Sequence, residues 1–177
     1  MYRLLNKPVG VLSTVRDDRG RRTVIDTLPT GERLFPVGRL DGRSRGLILL
    51  TNDGALAVRL MHPRYHVEKE YRVTIAGSPA DGALRQLQKG MRVGAERYRP
   101  AEVEVLRRAP SSTHVRMVLT EGRKREVRRM WKALGHEVID LERVRLGPLR
   151  LGSLPVGAHR TLTANEVRDL RASVGLT

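Results

Sequence analysis

The chain has no cysteine, which removes disulfide staples, thiol nucleophiles, thiolate-bound zinc and iron–sulfur clusters together. A reducing cytoplasm fits that usage. Aromatic residues are almost as scarce, with one Trp, one Phe and four Tyr. This argues against a surface that grips single strands by stacking many rings, and makes each ring worth separate attention. No apolar run approaches the roughly 20 residues needed to cross a bilayer, and the N-terminal MYRLLNKPVGVLS lacks the basic-then-apolar order of a signal peptide. Neither G-x-x-x-x-G-K-[ST] nor G-x-G-x-x-G occurs, so a nucleotide cofactor has no loop to hold it. The five histidines, at 62, 66, 114, 136 and 159, are scattered, and Pro63 breaks the helical arc that would align His62 with His66. No metal and no cofactor are expected.

What the chain has in excess is positive charge. Its 34 basic residues against 19 acidic ones leave a net charge of +15 over 177 residues, which points to a polyanionic partner. Only five of the basic residues are lysines, and arginine suits bidentate phosphate contact and base stacking. A codon bias would explain arginine over lysine but not the surplus of charge. With 40% hydrophobic and 30% charged residues the chain is expected to fold, as one domain or as two closely packed lobes, residues 1–64 and 65–177.

Pattern and turn chemistry predict an α+β chain rich in antiparallel hairpins. A strand carries Tyr2, Leu4 and Leu5, and a second is expected over residues 11–15, followed by an exposed hairpin tip over 16–22. Residues 47–51 form a continuous apolar run, the mark of a strand buried on both faces, and Asp53 is placed to cap a helix over 55–61. Tyr71, Val73 and Ile75 alternate onto one face of another strand. Ser78-Pro79 reads as N-cap and first turn of a helix ending at Gly90, with strands at 101–106 and 114–120 after it. A helix over 123–134 buries Val127, Met130 and Leu134 and presents Arg125, Arg128, Arg129 and Lys132 as a basic stripe, with Trp131 packing at the border. Strands at 138–145 and 149–151 flank Gly147-Pro148, and Thr163 with Glu166 forms a capping box for a last helix.

The stretch VGRLDGRSRG places Asp41 between Arg39 and Arg43 in a glycine-punctuated turn ahead of the buried strand. By its residues alone, this aspartate is either a loop ion pair or an ionised nucleophile kept charged by a neighbouring cation. A glycosidase would need a second carboxylate across a cleft; none lies nearby in sequence, and Glu121 is the distant candidate.

Gly38-Arg39-Leu40-Asp41, followed by Ser44, Gly46 and the apolar run into Thr51-Asn52-Asp53-Gly54, resembles the signature of the RNA pseudouridine synthases, in the branch that modifies bacterial ribosomal RNA. Asn6-Lys7-Pro8-Val9-Gly10, Lys69-Glu70-Tyr71-Arg72-Val73 and the stretch from Glu121 through Arg123-Lys124-Arg125-Glu126-Val127-Arg128-Arg129 to Met130 fit the same family in the same order, and Arg145-Leu146-Gly147-Pro148-Leu149 extends the match. The resemblance implies a mixed, mainly antiparallel sheet with flanking helices and a central RNA-binding cleft. It implies isomerisation of uridine in 23S ribosomal RNA, with 16S RNA as the alternative, on free RNA or a pre-ribosomal particle, by a cytoplasmic monomer without metal, cofactor or membrane. Asp41 would be the nucleophile, Tyr71 would stack on the target base, and Arg128 would pair with Asp41. Arg39 would stand near the displaced base, and Arg43, Lys69, Arg123, Lys124, Arg125, Arg129 and Lys132 would join it in RNA contact. Leu40 and Val127 would be walls. Two features depart from the family pattern: the small S4-like RNA-binding domain that commonly precedes the catalytic part is not found ahead of Asn6, and Glu126 stands where a neutral Gln is more usual, free to compete for Arg128 or Arg129. The competing readings are a noncatalytic RNA-binding or ribosome-assembly factor with the same fold and, more distantly, a hydrolase using Asp41.

Overall fold

Leu47, Ile48, Leu49 and Leu50 are all fully buried. Flanked by Gly46 and the turn at Asn52-Asp53-Gly54, the run is too short for a helix of its own and becomes the middle of a sheet. A computed structural model describes every residue except Thr30, Glu32 and Thr177. In chain order the elements are β1 (Tyr2–Lys7), β2 (Phe35–Pro36), β3 (Arg45–Thr51), α1 (Gly54–Met61), β4 (Lys69–Ala76), α2 (Asp81–Lys89), β5 (Met91–Val93), β6 (Glu96–Tyr98), β7 (Glu102–Arg108), β8 (Ser112–Leu119), α3 (Glu126–Ala133), β9 (Val138–Leu146), β10 (Leu149–Arg150), β11 (His159–Thr161) and α4 (Ala164–Ala172). One nine-stranded sheet runs in the order β11-β1-β3-β9-β4-β8-β7, with β2 paired to β3 and β10 to β9; β5 and β6 form a separate hairpin. Among the described residues every pairing of these strands is antiparallel except β3 with β9.

Strand alternation sorts the core. Leu4, Leu47 and Leu49 point into one cluster with Leu56 and Leu60 of α1, Leu149 of β10 and Leu170 of α4. Leu5, Ile48 and Leu50 point the other way, onto Val11, Val24 and Leu34. A third cluster joins Tyr71, Val73 and Ile75 of β4 to Val127, Met130 and Trp131 of α3 and to Leu40. Burying each such aliphatic side chain contributes about 1.5–3 kcal/mol. Residues 146–174 thus return to pack with the N-terminal segment, and the sheet is continuous through both halves.

The join is the parallel contact of β3 with β9, where Arg45 faces Glu142 and Gly46 faces Arg143. Gly46 has φ +105°, and a Cβ there would lie 2.3 Å from the Arg143 carbonyl oxygen, so only glycine permits the approach. Arg45 fastens the seam by pairing with Asp140 at 2.8 Å and with Glu142.

Several expectations hold in detail. Asp53 accepts from Leu56 N at the start of α1, and Thr163 with Glu166 closes the capping box of α4. Trp131 is fully buried, its indole nitrogen donating to Met117 Sδ at 3.0 Å. Others are corrected. Residues 11–15 form no strand: Leu12 makes a single parallel bridge to Thr23, because Ser13 is drawn instead to the backbone of Leu40. Residues 16–22 are exposed as expected, apart from half-buried Asp17, but as a loop rather than a hairpin. Helix α2 begins at Asp81 with Ala80 as N-cap, since the Ser78 hydroxyl is engaged by the Arg108 guanidinium. Helix α3 begins only at Glu126, because Arg125 adopts a left-handed conformation with φ 55° that ends any helical path through 123–125.

Candidate active site

Asp41 lies in a turn closed by Ser44 N donating to the Asp41 carbonyl at 2.9 Å. The N-terminal segment straps this turn from three sides. Lys7 Nζ donates to the Ser44 carbonyl at 2.8 Å and to that of Pro8 at 2.9 Å. Gly10 N donates to the Gly42 carbonyl at 2.7 Å. Ser13 Oγ donates to the Leu40 carbonyl at 2.9 Å and accepts from Leu40 N at 3.0 Å. The Lys7 side chain is wholly buried, and burial lowers its pKa to about 8 against the opposing pull of the Asp41 charge. A carboxylate is thereby held on a rigid backbone while its side chain stays 30% exposed. It opens into a cavity of about 670 Å³, which Arg39, Leu12 and Met61 also line.

The cation nearest Asp41 is Arg125, whose Nη1 lies 4.0 Å from Asp41 Oδ2. Arg128, expected to make that pair, instead donates from Nη1 to the Val138 carbonyl and from Nη2 to the Arg43 carbonyl, both at 2.9 Å. The reason is placement: Arg128 sits on the half-buried shoulder of α3, facing two backbone acceptors, whereas the left-handed turn at Arg125 directs that side chain to the cleft. Arg128 therefore ties α3 to the loop that carries Asp41, and its charge reaches the aspartate only across space.

Tyr71 faces the core from β4, 8% exposed, opposite Met117 on β8 and Arg143 on β9. Burial raises its pKa, and the adjacent Arg143 charge acts against that rise. The β4–β9 register shifts between Glu70 and Tyr71, an irregularity of the sort that re-aims a side chain beside an active site. Leu40 and Val127 pack in the same cluster, as walls.

Residues 1–133 match the family model described as RNA pseudouridylate synthase. This chain belongs to that family. It is 42% identical to the ribosomal large subunit pseudouridine synthase B of Bacillus subtilis over 97% of its own length and 72% of the relative's. It is also 42% identical to the protein of that name from Haemophilus influenzae, over 96% of this chain but 48% of the longer relative. A crystal structure of a pseudouridylate synthase superposes with a TM-score of 0.86 at 33% identity, covering 96% of this chain and 73% of that one. The human RNA pseudouridylate synthase domain containing 1 shares the fold, with a TM-score of 0.62 at 18% identity. The protein is thus an enzyme that isomerises uridine to pseudouridine, on the mixed, mainly antiparallel sheet its sequence implied.

In this synthase the expected RNA contacts separate into two groups. Arg39, Arg43, Lys124 and Lys132 are exposed, and no ion pair occupies them among the described residues. Arg125 faces Asp41 at 4.0 Å, Arg129 pairs with Glu96 at 2.8 Å, Arg123 with Glu121 at 3.1 Å, and Lys69 folds back onto the Val67 carbonyl at 2.9 Å. Lys69 is thus not an outward-facing contact. Burial and Arg143 lower its pKa to about 8.

Glu126 contends for neither Arg128 nor Arg129. It is buried and accepts from Arg123 N at 3.0 Å through Oε2, while Oε1 has no partner and the Glu121 carboxyl stands nearby. Burial, then the Glu121 charge, raises its pKa to about 8 despite the bond from Arg123. Two residues at the site carried no assigned role in the sequence, Lys7 and Arg143. Arg143 is 2% exposed, donates from Nε to the Leu47 carbonyl at 2.8 Å, and leaves Nη2 without a partner.

Proposed function

We propose that this synthase converts a specific uridine of large-subunit ribosomal RNA to pseudouridine, with Asp41 as the nucleophile. Support for the substrate is the shared name of the two relatives that match nearly the whole chain. The observation that carries the assignment of Asp41 is its position: an aspartate on a strapped turn, 4.0 Å from a guanidinium and open to a cavity. Reaching a glycosidic bond in folded RNA requires the nucleotide to leave its stack, which costs a few kcal/mol. The net charge of +15 offsets this by attracting the phosphate backbone. Asp41 attacks the extruded uridine and bonds to it, the bond from C1′ to N1 breaks, the base turns, C1′ bonds to C5, and the bond to Asp41 breaks to return the free carboxylate. The C5 proton then leaves and one returns to N1, so substrate and product are isomers and nothing is consumed. Tyr71 stacks on the base and its hydroxyl assists proton transfer at C5. Arg39, lining the same cavity, stands beside the turning base. The enzyme is read as one catalytic domain of two lobes, acting as a cytoplasmic monomer on ribosomal RNA or an assembling particle.

The test is carbodiimide labelling with primer extension on ribosomal RNA incubated with the protein. A new stop in large-subunit RNA is expected. A stop confined to small-subunit RNA would overturn the substrate, and none in either, with binding intact, would favour an RNA-binding assembly factor.

A further inference from the structure

Away from the Asp41 cavity, a depression of about 390 Å³ is lined by Lys89, Arg97, Tyr98, Arg99, Pro100 and Arg123. Four of its six lining residues are cationic and none is acidic. Like charges gathered in one concavity repel unless an anion joins them. Lys89 and Arg97 are exposed and have no side-chain partner among the described residues. Arg99 keeps its charge free for solvent, its guanidinium meeting only the His66 ring at 2.9 Å, and Arg123 pairs with Glu121 behind the rim.

The backbone that presents these groups is fixed. Gly90, at φ +81°, brings the end of α2 so close to residues 98–100 that a Cβ would meet the Tyr98 carbonyl oxygen at 2.8 Å. Ala101 N donates to the Leu87 carbonyl at 3.1 Å, and Arg99 N to Glu121 Oε1 at 2.7 Å. Beneath the cations the Tyr98 ring is buried, with the Arg123 guanidinium 5.8 Å from its centroid. Lys89 also offsets the partial negative charge at the C-terminus of α2. The rim is therefore a preorganised cluster of donors.

We propose that this depression seats a backbone phosphate of the same RNA strand, beyond the nucleotide at Asp41. The placement rests on the function proposed above and on chain connectivity. Arg123 in the rim is two residues from Arg125, whose guanidinium is 4.0 Å from Asp41. Two residues span at most about 7 Å of backbone, so neighbouring residues of one segment serve the cleft and the depression, and a strand whose target nucleotide enters the cleft can continue onto the depression. Phosphate contacts of this sort set register and orientation rather than sequence.

The test is made in an Asp41→Asn background, so that turnover does not enter, by fluorescence anisotropy across a salt series with a labelled large-subunit RNA fragment. Lys89→Ala with Arg97→Ala removes two partnerless surface cations, and an unchanged Tm confirms the fold. The slope of log K against log salt is expected to become shallower by about 1.4, or 0.7 per lost contact on single-stranded RNA, with affinity about tenfold weaker at 0.1 M salt. Arg168→Ala, on α4 and so packed in a different core cluster from α2, should leave the slope unaltered. A double variant with the slope and affinity of its parent overturns the site, whether or not the wild-type enzyme makes pseudouridine. A shallower slope with no product from the wild type keeps the site and removes the enzymatic reading.

Discussion

Lys7 Nζ holds the Ser44 carbonyl at 2.8 Å, 37 residues along the chain and three past Asp41. A wholly buried amine on the first strand thus fixes the turn that carries the carboxylate. Replacing it with methionine keeps the volume but leaves the carbonyls of Pro8 and Ser44 unpaired. Urea unfolding should show a loss of about 1–3 kcal/mol, and pseudouridine formation should slow more than tenfold, because small displacements of a reacting group are costly. Unchanged rates would separate the strap from the site.

Arg125 and Arg128 should divide their effects. Arg125→Ala removes a half-exposed side chain and should leave stability within about 0.5 kcal/mol, while turnover falls about tenfold as Asp41 loses its nearest cation. Arg128→Met strands the Val138 and Arg43 carbonyls and should cost about 1–3 kcal/mol of stability. Chemical denaturation beside single-turnover rates separates the two.

Glu126 ties stability to pH. Its folded pKa, raised to about 8 from an ordinary carboxyl value, means the folded chain holds a proton that the unfolded chain has released between roughly pH 4.5 and 8. Stability from this group is full at acid pH and is lost as pH rises through that window. Around it stand Glu121, Arg123, Lys69, Tyr71 and Tyr98. Glu126→Gln stays neutral and still accepts from Arg123 N. Its advantage over the wild type should grow by more than about 1 kcal/mol between pH 5 and pH 8. A constant difference across that range would contradict the assignment.

Tyr71→Phe keeps the ring in the core and removes only the hydroxyl. If that hydroxyl assists proton transfer at C5, the rate should fall about a hundredfold or more while RNA affinity changes less than threefold. Equal losses in both would make the hydroxyl a binding group instead.

Much of this architecture is legible from residue patterns. The run Leu47 to Leu50 and the caps at Asp53 and Thr163 are local signals, and the structure follows them. The hairpin of β5 and β6 escaped because strands of three residues show no alternation. The family resemblance implies Arg128 as the partner of Asp41; the left-handed backbone that brings Arg125 there instead has no signature in an Arg-Lys-Arg run. Lys7 and Arg143 are residue types that normally lie outside. Their burial depends on the carbonyls of Ser44 and Leu47, 37 and 96 residues away in the chain, which no local window contains.

The most direct test compares single-turnover pseudouridine formation by the wild type and by Asp41→Asn on one ribosomal RNA fragment, at enzyme concentrations where both bind it fully. The account predicts product from the wild type and none from the variant at equal occupancy. Product from Asp41→Asn at a comparable rate would contradict it and return Asp41 to the role of a loop ion pair.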